Sequence, residues 1–192
     1  GGEAFGSMRP FLQYVGAGDM IPHVHWLFDQ TGEGWLLELA ERFHHRIRPA
    51  WDEWLDHHAV NFPERFAYDG IFSPQSGKPS DLARTEYWYH HHRSTWGQMP
   101  GGIFAADERI RPGCTDPRFG FETCGMVEFA RSNYFLGMVS GDPRYAERTE
   151  EIMFNHFPVT HTPDFRGVHY ITAANQPVLS GTGRQLHRNN ST

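Results

Sequence analysis

Two short acidic motifs lie within and directly after a turn-rich stretch in the middle of the chain. Asp107-Glu108 falls inside the stretch, and Glu122-Thr123-Cys124 follows it at the start of a helical pattern. Cleavage of a glycosidic bond generally uses two carboxyl groups on opposite sides of the bond. Carboxylate and thiolate are also both zinc ligands, and a helix N-terminus lowers the pKa of a nearby thiol. The residue types alone leave a carboxylate pair and a metal site both open, and a lone Glu-x-Cys also arises by chance.

The turn-rich stretch at about 98–121 is the long loop that would position these motifs. Glycine and proline recur along it and break any helix: Pro100, Gly101, Gly102, Pro112, Gly113, Pro117 and Gly120. A loop of about twenty residues is long for a compact domain, and such loops tend to be functional. We expect strand only as short pieces in this loop or in the irregular tail that follows Pro158.

A turn followed by a helical pattern occurs three times, at Thr31-Gly32, Ser76-Gly77 and Ser140-Gly141. After each turn the apolar residues recur three or four positions apart, which is the period of a helix. The helices that this spacing predicts near or after the turns lie at 33–48, 80–95, 122–139 and 143–156. A helical stretch also precedes the first turn, whereas Pro63 interrupts the one before the second. Repeated helix pairs predict an all-α solenoid or toroid.

Composition narrows the class of partner. The 192 residues are 39% hydrophobic and 15% aromatic and carry a net charge of −6, with Lys and Arg scattered. These values indicate a globular chain and remove the electrostatic basis for binding nucleic acid or an anionic membrane. No apolar run approaches the ~20 residues of a membrane span. His90-His91-His92 is interpreted as the solvated face of a helix, and two cysteines imply no disulfide framework.

Five segments, taken in order and spacing, resemble the β-L-arabinofuranosidase family, glycoside hydrolase family 127. The resemblance runs from about Asp19 to Gln176. Its segments are Thr31-Gly-Glu-Gly-Trp-Leu-Leu-Glu-Leu-Ala, His58-Ala-Val-Asn61, Gly102-Ile-Phe-Ala-Ala-Asp-Glu108, Glu122-Thr-Cys124, and Asp164 to Gln176 with His169-Tyr170 and Asn175-Gln176.

The resemblance implies a fold and a domain organisation. Residues 1–192 would form part of a single catalytic (α/α)6 toroid, truncated at both ends, with 98–121 as its active-site loop. The N-terminus lacks the features of a secretory signal. On that basis the cytoplasm is slightly favoured, while secretion stays open if the N-terminus is missing.

The resemblance also implies a retaining mechanism with zinc as cofactor and a zinc-bound cysteine thiolate as nucleophile. Carried over residue by residue, Glu122 and Cys124 match two zinc ligands, and Glu108 matches the general acid/base. His58 matches a residue that contacts the sugar, and Tyr170 one that lies beside the attacking thiolate. A carbohydrate is the expected partner, while the exact sugar, the linkage and the oligomeric state are not specified.

Two departures from the family pattern qualify this expectation. Family members carry a later Cys-Cys pair that supplies the nucleophile and the remaining zinc ligand, but no cysteine follows Cys124 here, and Cys114 matches neither member. The β-sandwich region that follows the toroid in the family is also missing. We therefore expect an incomplete zinc site, a nucleophile outside this sequence and no activity from this chain alone.

Two other functions compete with this expectation. The chain could belong to another toroid enzyme, such as an epimerase or an unsaturated-uronide hydrolase, that uses Glu108 with a histidine and no metal. Alternatively it could be a non-catalytic carbohydrate-binding or structural helical domain, in which Cys124 would be an inert core thiol.

Overall fold

The protein is helical throughout most of the part that the computed structural model describes, which is residues 16–52, 60–99, 101–104, 106–107, 109–110 and 120–173. None of the helices in these ranges is both long enough and apolar enough to cross a membrane. The α-helices are α1 (Ile21–Thr31), α2 (Trp35–Asp52), α3 (Asn61–Arg65), α4 (Tyr68–Ser76), α5 (Pro79–Trp96), α6 (Thr123–Ser140) and α7 (Pro143–Glu151).

The helices predicted from hydrophobic spacing are confirmed, with one change of type. Helices α2, α5 and α6 begin and end within four residues of the predicted ranges. Helix α7 ends at Glu151, and the chain continues as a π-helix over Ile152–His156 and a 3-10 helix over Phe157–Thr160. Pro158 has no N–H to donate to a continuing α-helix, so the α-helical hydrogen-bond pattern cannot run through it.

The segment before the second turn is more helical than its sequence suggested. Pro63 falls in the first turn of α3, where a missing N–H is not needed for the helical hydrogen bonds. Helix α4 follows after a two-residue break, and Phe62 and Phe66 are fully buried. The proline therefore starts a helix instead of breaking one.

Helices α1, α4 and α6 pack side by side in that order, and each forms a hairpin with the helix that follows it. The three hairpin turns lie at one end of this layer. Gln75, at the end of α4, donates to the backbone oxygen of Leu37 at the start of α2 over 2.8 Å. Glu86, early in α5, accepts two hydrogen bonds of 2.8 Å from Arg148 of α7. Helices α1, α4 and α6 consequently run parallel, with their N-termini at the opposite end.

Aromatic rings form the centre of the core between α3, α5 and α6. His92 stacks on Phe62 with ring centroids 3.2 Å apart, and it is 1% exposed. The interpretation of the histidine triplet as a solvated face is therefore wrong for His92, although His90 is exposed. Thr85, Tyr89 and His92 follow the i, i+4, i+7 spacing of a buried helix face. Burial holds the pKa of His92 well below its ordinary value, so it packs as a neutral ring.

Among the described residues, strand is confined to the long loop, its junction with α6 and the segment after α7, as predicted. Within the described residues there are two antiparallel two-stranded sheets: β1 (Ala106–Asp107) with β2 (Arg109–Ile110), and β3 (Phe121–Glu122) with β4 (Ile171–Thr172). Strand β1 lies against β3. Both sheets lie at the end of the molecule where α6 begins, opposite the hairpin turns.

Candidate active site

Glu122 and Cys124 come together where β3 ends and α6 begins. Glu122 has extended backbone angles, φ −81° and ψ 145°, and occupies the N-cap position of the helix whose first residue is Thr123. The change from strand to helix brings the two side chains together. The Sγ–H of Cys124 donates to Oε1 of Glu122 over 2.5 Å. The structure thus places two predicted site residues in direct contact.

The electrostatics of this pair favour a protonated thiol at Cys124. Glu122 is 1% exposed and Cys124 is half-buried. The pKa of the Cys124 thiol is raised to about 12, first by burial and then by the hydrogen bond to Glu122 and the negative charge of that carboxylate. The backbone N–H groups of Cys124 and Gly125 act in the opposite direction, because they stabilise negative charge on sulfur. A cation in place of the proton would let both groups stay ionised.

The donor set fits part of a zinc site. A carboxylate oxygen and a thiol sulfur, in contact at a helix start, are two of the ligand types that zinc accepts. A zinc site of this kind takes four ligands, or three and an open position. Among the described residues, no group of three or more His, Cys, Asp and Glu side chains could hold a metal ion. Glu122 and Cys124 would therefore need ligands from elsewhere.

The β3–β4 pairing brings Tyr170 to the same place, although it lies 46 residues beyond Cys124 in the sequence. Glu122 pairs with Ile171, the residue after Tyr170. The N–H of Thr123 donates to the backbone oxygen of Tyr170 over 2.9 Å. The Tyr170 side chain is 41% exposed, so a ligand at this end of the molecule could reach it.

The other two predicted site residues, Glu108 and His58, lie outside the described residues, and so does Cys114. Their nearest described elements belong to this end of the molecule. Strand β1 ends at Asp107 and lies against β3, and α3, which begins at Asn61, packs against α6. The shared concavity of Glu108, His58, Glu122 and Cys124, with Cys124 within about 12 Å of Glu108, stays a prediction.

Sequence analysis missed a polar network that joins Asp19, just before α1, to the start of α4 and to the first half of α6. The Tyr68 hydroxyl donates to Asp19 over 2.8 Å, and Arg131 donates to Asp19 over 3.1 Å and to Glu128 over 3.2 Å. Glu128 and Arg131 lie four and seven residues after Cys124 and hence on the same face of α6. That spacing was a usable signal, whereas Asp19 lies 112 residues from Arg131 and has no local signature.

Glu64, in α3, lies in the field of this network. Its pKa is raised from the ordinary 4.5 to about 8, first by burial and then by the negative charges of Asp19 and Glu128, against the opposing charges of Arg131 and Arg65. Glu64 is consequently protonated at neutral pH and can donate a proton. Nothing in its sequence neighbourhood indicates such a shift.

A solved structure of a glycosidase is similar to this chain. The structure resembles an inactive variant of an alpha-1,6-mannanase of glycoside hydrolase family 76 from Salegentibacter sp. HEL1_6, solved with alpha-1,6-mannotriose, with a TM-score of 0.58 and 11% sequence identity. The match covers 83% of this chain and 46% of the mannanase chain, so the chain spans about half the length of that relative. The likeness confirms the predicted all-α (α/α)6 toroid fold class.

Comparison with curated proteins gives no match. The family model described as "Beta-L-arabinofuranosidase, GH127 catalytic domain" matches residues 13–190, nearly the whole sequence. The match includes the strand-to-helix junction that carries Glu122 and Cys124 and the paired segment that carries Tyr170. The chain therefore belongs to the family of β-L-arabinofuranosidase catalytic domains, glycoside hydrolase family 127.

Proposed function

We propose that this chain is part of a retaining glycoside hydrolase that removes L-arabinofuranose or a related sugar. In this proposal the nucleophile is a zinc-bound cysteine thiolate that this sequence does not contain. The observation that carries the proposal is the contact between Cys124 and Glu122 at the start of α6, in a chain that belongs to this family. Two anionic ligands in contact at a helix N-terminus are an arrangement that a divalent cation stabilises.

Each site residue has a role in this proposal. Glu122 and Cys124 hold zinc, which when bound keeps coordinated thiols ionised at neutral pH. The backbone N–H groups at the start of α6 stabilise the negative charge on the Cys124 sulfur. Glu108 donates a proton to the leaving oxygen and later accepts one from water. His58 binds a sugar hydroxyl, and Tyr170 lies beside the reacting sulfur.

The isolated chain is expected to bind zinc weakly. Two protein ligands leave most of the coordination sphere of the ion to water, and most of the coordination free energy is lost. We expect no detectable hydrolysis of an aryl β-L-arabinofuranoside, because the attacking thiolate is absent and acid catalysis alone supplies only ~10²–10⁴-fold.

The test uses Cys124→Ser and Glu108→Gln, both in this chain and in a longer form that carries the cysteine pair. In the longer form, Cys124→Ser should lose zinc and activity together. Glu108→Gln should keep zinc and slow turnover most for poor leaving groups, which need the proton. Turnover by this chain that survives Cys124→Ser and disappears in Glu108→Gln would reject the cysteine mechanism.

A metal-free hydrolase or epimerase is the second candidate, and Glu64 is the observation that favours it. A carboxyl with a pKa of about 8, near the carboxylates of Asp19 and Glu128, has the properties that the acid of a metal-free glycosidase needs. In that case Glu64→Gln should abolish turnover, and a chelator should leave it unchanged. A non-catalytic carbohydrate-binding domain would instead bind sugar with no turnover in any form.

A further inference from the structure

We propose that Thr123 is a positioning residue that fixes the segment carrying Tyr170 against the Glu122–Cys124 pair. The inference rests on the proposed function of that pair as ligands of a metal ion. Thr123 lies between the two ligands in the sequence, so the contacts that hold its backbone also fix the backbone positions of Glu122 and Cys124.

Both polar groups of Thr123 bind the same short segment. Its N–H donates to the backbone oxygen of Tyr170 over 2.9 Å, and its Oγ1 donates to the backbone oxygen of His169 over 2.6 Å. The first N–H groups of a helix have no partner within the helix, and the Tyr170 oxygen here satisfies the first of α6. The hydroxyl adds a second bond, and this bond depends on the side chain alone.

The same segment is anchored independently on its other side. The N–H of His169 donates to the backbone oxygen of Thr160 over 2.6 Å. Nε2 of His156 lies 3.2 Å from Oγ1 of Thr172, and the His156 ring lies against Phe121 with centroids 4.1 Å apart. The segment is therefore held in place without Thr123, and the Thr123 hydroxyl sets its register against the ligand pair.

The variant Thr123→Val tests the hydroxyl while it preserves the shape of the side chain. It leaves the backbone oxygen of His169 without this donor, so the segment stays anchored at Thr160 but its register against Glu122 and Cys124 loosens. The probe is the cadmium ion, whose charge-transfer band with thiolate reports the ligand arrangement. We expect about 10-fold weaker cadmium affinity, the low end of what loss of an outer-shell partner costs a metal site. Thr123→Ser, which keeps the hydroxyl, should restore it.

Thr149→Val is the matched control. The Thr149 hydroxyl also donates to backbone oxygens, those of Tyr145 over 2.9 Å and of Ala130 over 3.3 Å, but it lies in α7 and makes no hydrogen bond to the segment that carries Tyr170. This variant should lose a similar amount of thermal stability and keep wild-type cadmium affinity. Equal cadmium affinity in Thr123→Val and the wild type, with an equal loss of stability in both valine variants, means that Thr123 is merely structural and overturns the proposal.

Amide hydrogen exchange of residues 169–172, measured without metal, tests the positioning role of Thr123 independently of cadmium binding. Faster exchange there in Thr123→Val, with wild-type exchange in Thr123→Ser and Thr149→Val, supports the positioning role. Unchanged exchange in Thr123→Val overturns it. The absence of a cadmium–thiolate band in the wild-type chain would overturn the proposed function of the pair. The exchange measurement would still test whether Thr123 positions the segment.

Discussion

The two ends of the layer formed by α1, α4 and α6 are built in different ways. At one end, three hairpin turns repeat the same geometry, with Gly32, Gly77 and Gly141 at φ 69°, 66° and 69°. At the other end, the connections are unlike one another, and they carry the short strands, the Glu122–Cys124 pair and Asp19, which accepts a hydrogen bond from Arg131 of α6.

The end with the repeated turns fixes how the helices pack, and the opposite end carries the residues of the candidate site. The repeated turns reverse the chain direction after α1, α4 and α6. These three helices are therefore parallel, and their N-termini lie at the same end of the layer. Helix N-termini favour negative groups, which suits both a metal-ligating carboxylate–thiolate pair and a carboxyl network. The end with irregular connections can therefore vary its residues without changing how the helices pack.

Gly120→Ala should give the largest effect at the irregular end. A Cβ at this position would lie 2.2 Å from Cγ2 of Ile171 and 2.9 Å from the backbone oxygen of Thr172. The β3–β4 pairing must then open or shift, which we expect to lower the free energy of unfolding by about 1–3 kcal/mol. Urea unfolding measures this loss, and cadmium affinity should fall with it because β3 carries Glu122.

The double variant Gly120→Ala with Ile171→Ala separates the two overlaps. Alanine at 171 removes Cγ2, so Gly120→Ala should cost less in the Ile171→Ala background than in the wild type, while the contact with the Thr172 oxygen stays. Wild-type stability in Gly120→Ala alone would contradict the close approach of the two strands.

The regular end was predictable from sequence because its signals are local. A glycine after the last helical residue and apolar residues three or four apart give the turns and helices without knowledge of the rest of the chain. The Glu122–Cys124 contact was also within reach, since the two residues lie two positions apart. Tyr170 came only from the family resemblance, because the pairing of Glu122 with Ile171, 49 residues away, leaves no local pattern.

The Asp19–Arg131 network and the burial of His92 show the same limit. Each depends on which helices pack against one another. The spacing of apolar residues within one helix does not identify its neighbour. The polar triplet at residues 90–92 looked solvated because its composition is polar. Its third member is buried because the helical period of α5 turns it toward Phe62.

Glu64→Gln tests the irregular end through the pH dependence of stability. The folded state keeps Glu64 protonated up to a pKa of about 8, whereas the unfolded chain releases the proton near 4.5. Between these values the folded state binds more protons, so the free energy of unfolding must fall as the pH rises. Glutamine cannot ionise, so this fall should be absent from the variant, whose stability relative to wild type should rise from pH 5 to pH 8.

Thermal unfolding between pH 5 and pH 8 measures this difference, and Glu147→Gln, at an exposed position of α7, is the control. Parallel stability curves for Glu64→Gln and the wild type would show that Glu64 ionises alike in the folded and unfolded states.

The smallest effect is expected at the regular end, in Gly141→Ala. Nothing lies within 4 Å of a Cβ added at Gly141, so alanine meets no steric overlap, and only the positive φ of 69° opposes it. An L residue in this left-handed conformation costs about 1 kcal/mol. Asparagine tolerates the conformation better, so Gly141→Asn should lose less. Urea unfolding should rank wild type, Asn and Ala in that order, with cadmium affinity unchanged in both variants, because the turn lies at the opposite end of α6 from Cys124. A loss of cadmium affinity as large as that in Gly120→Ala would mean that the two ends are coupled through α6, and the separation of stability from chemistry would not hold.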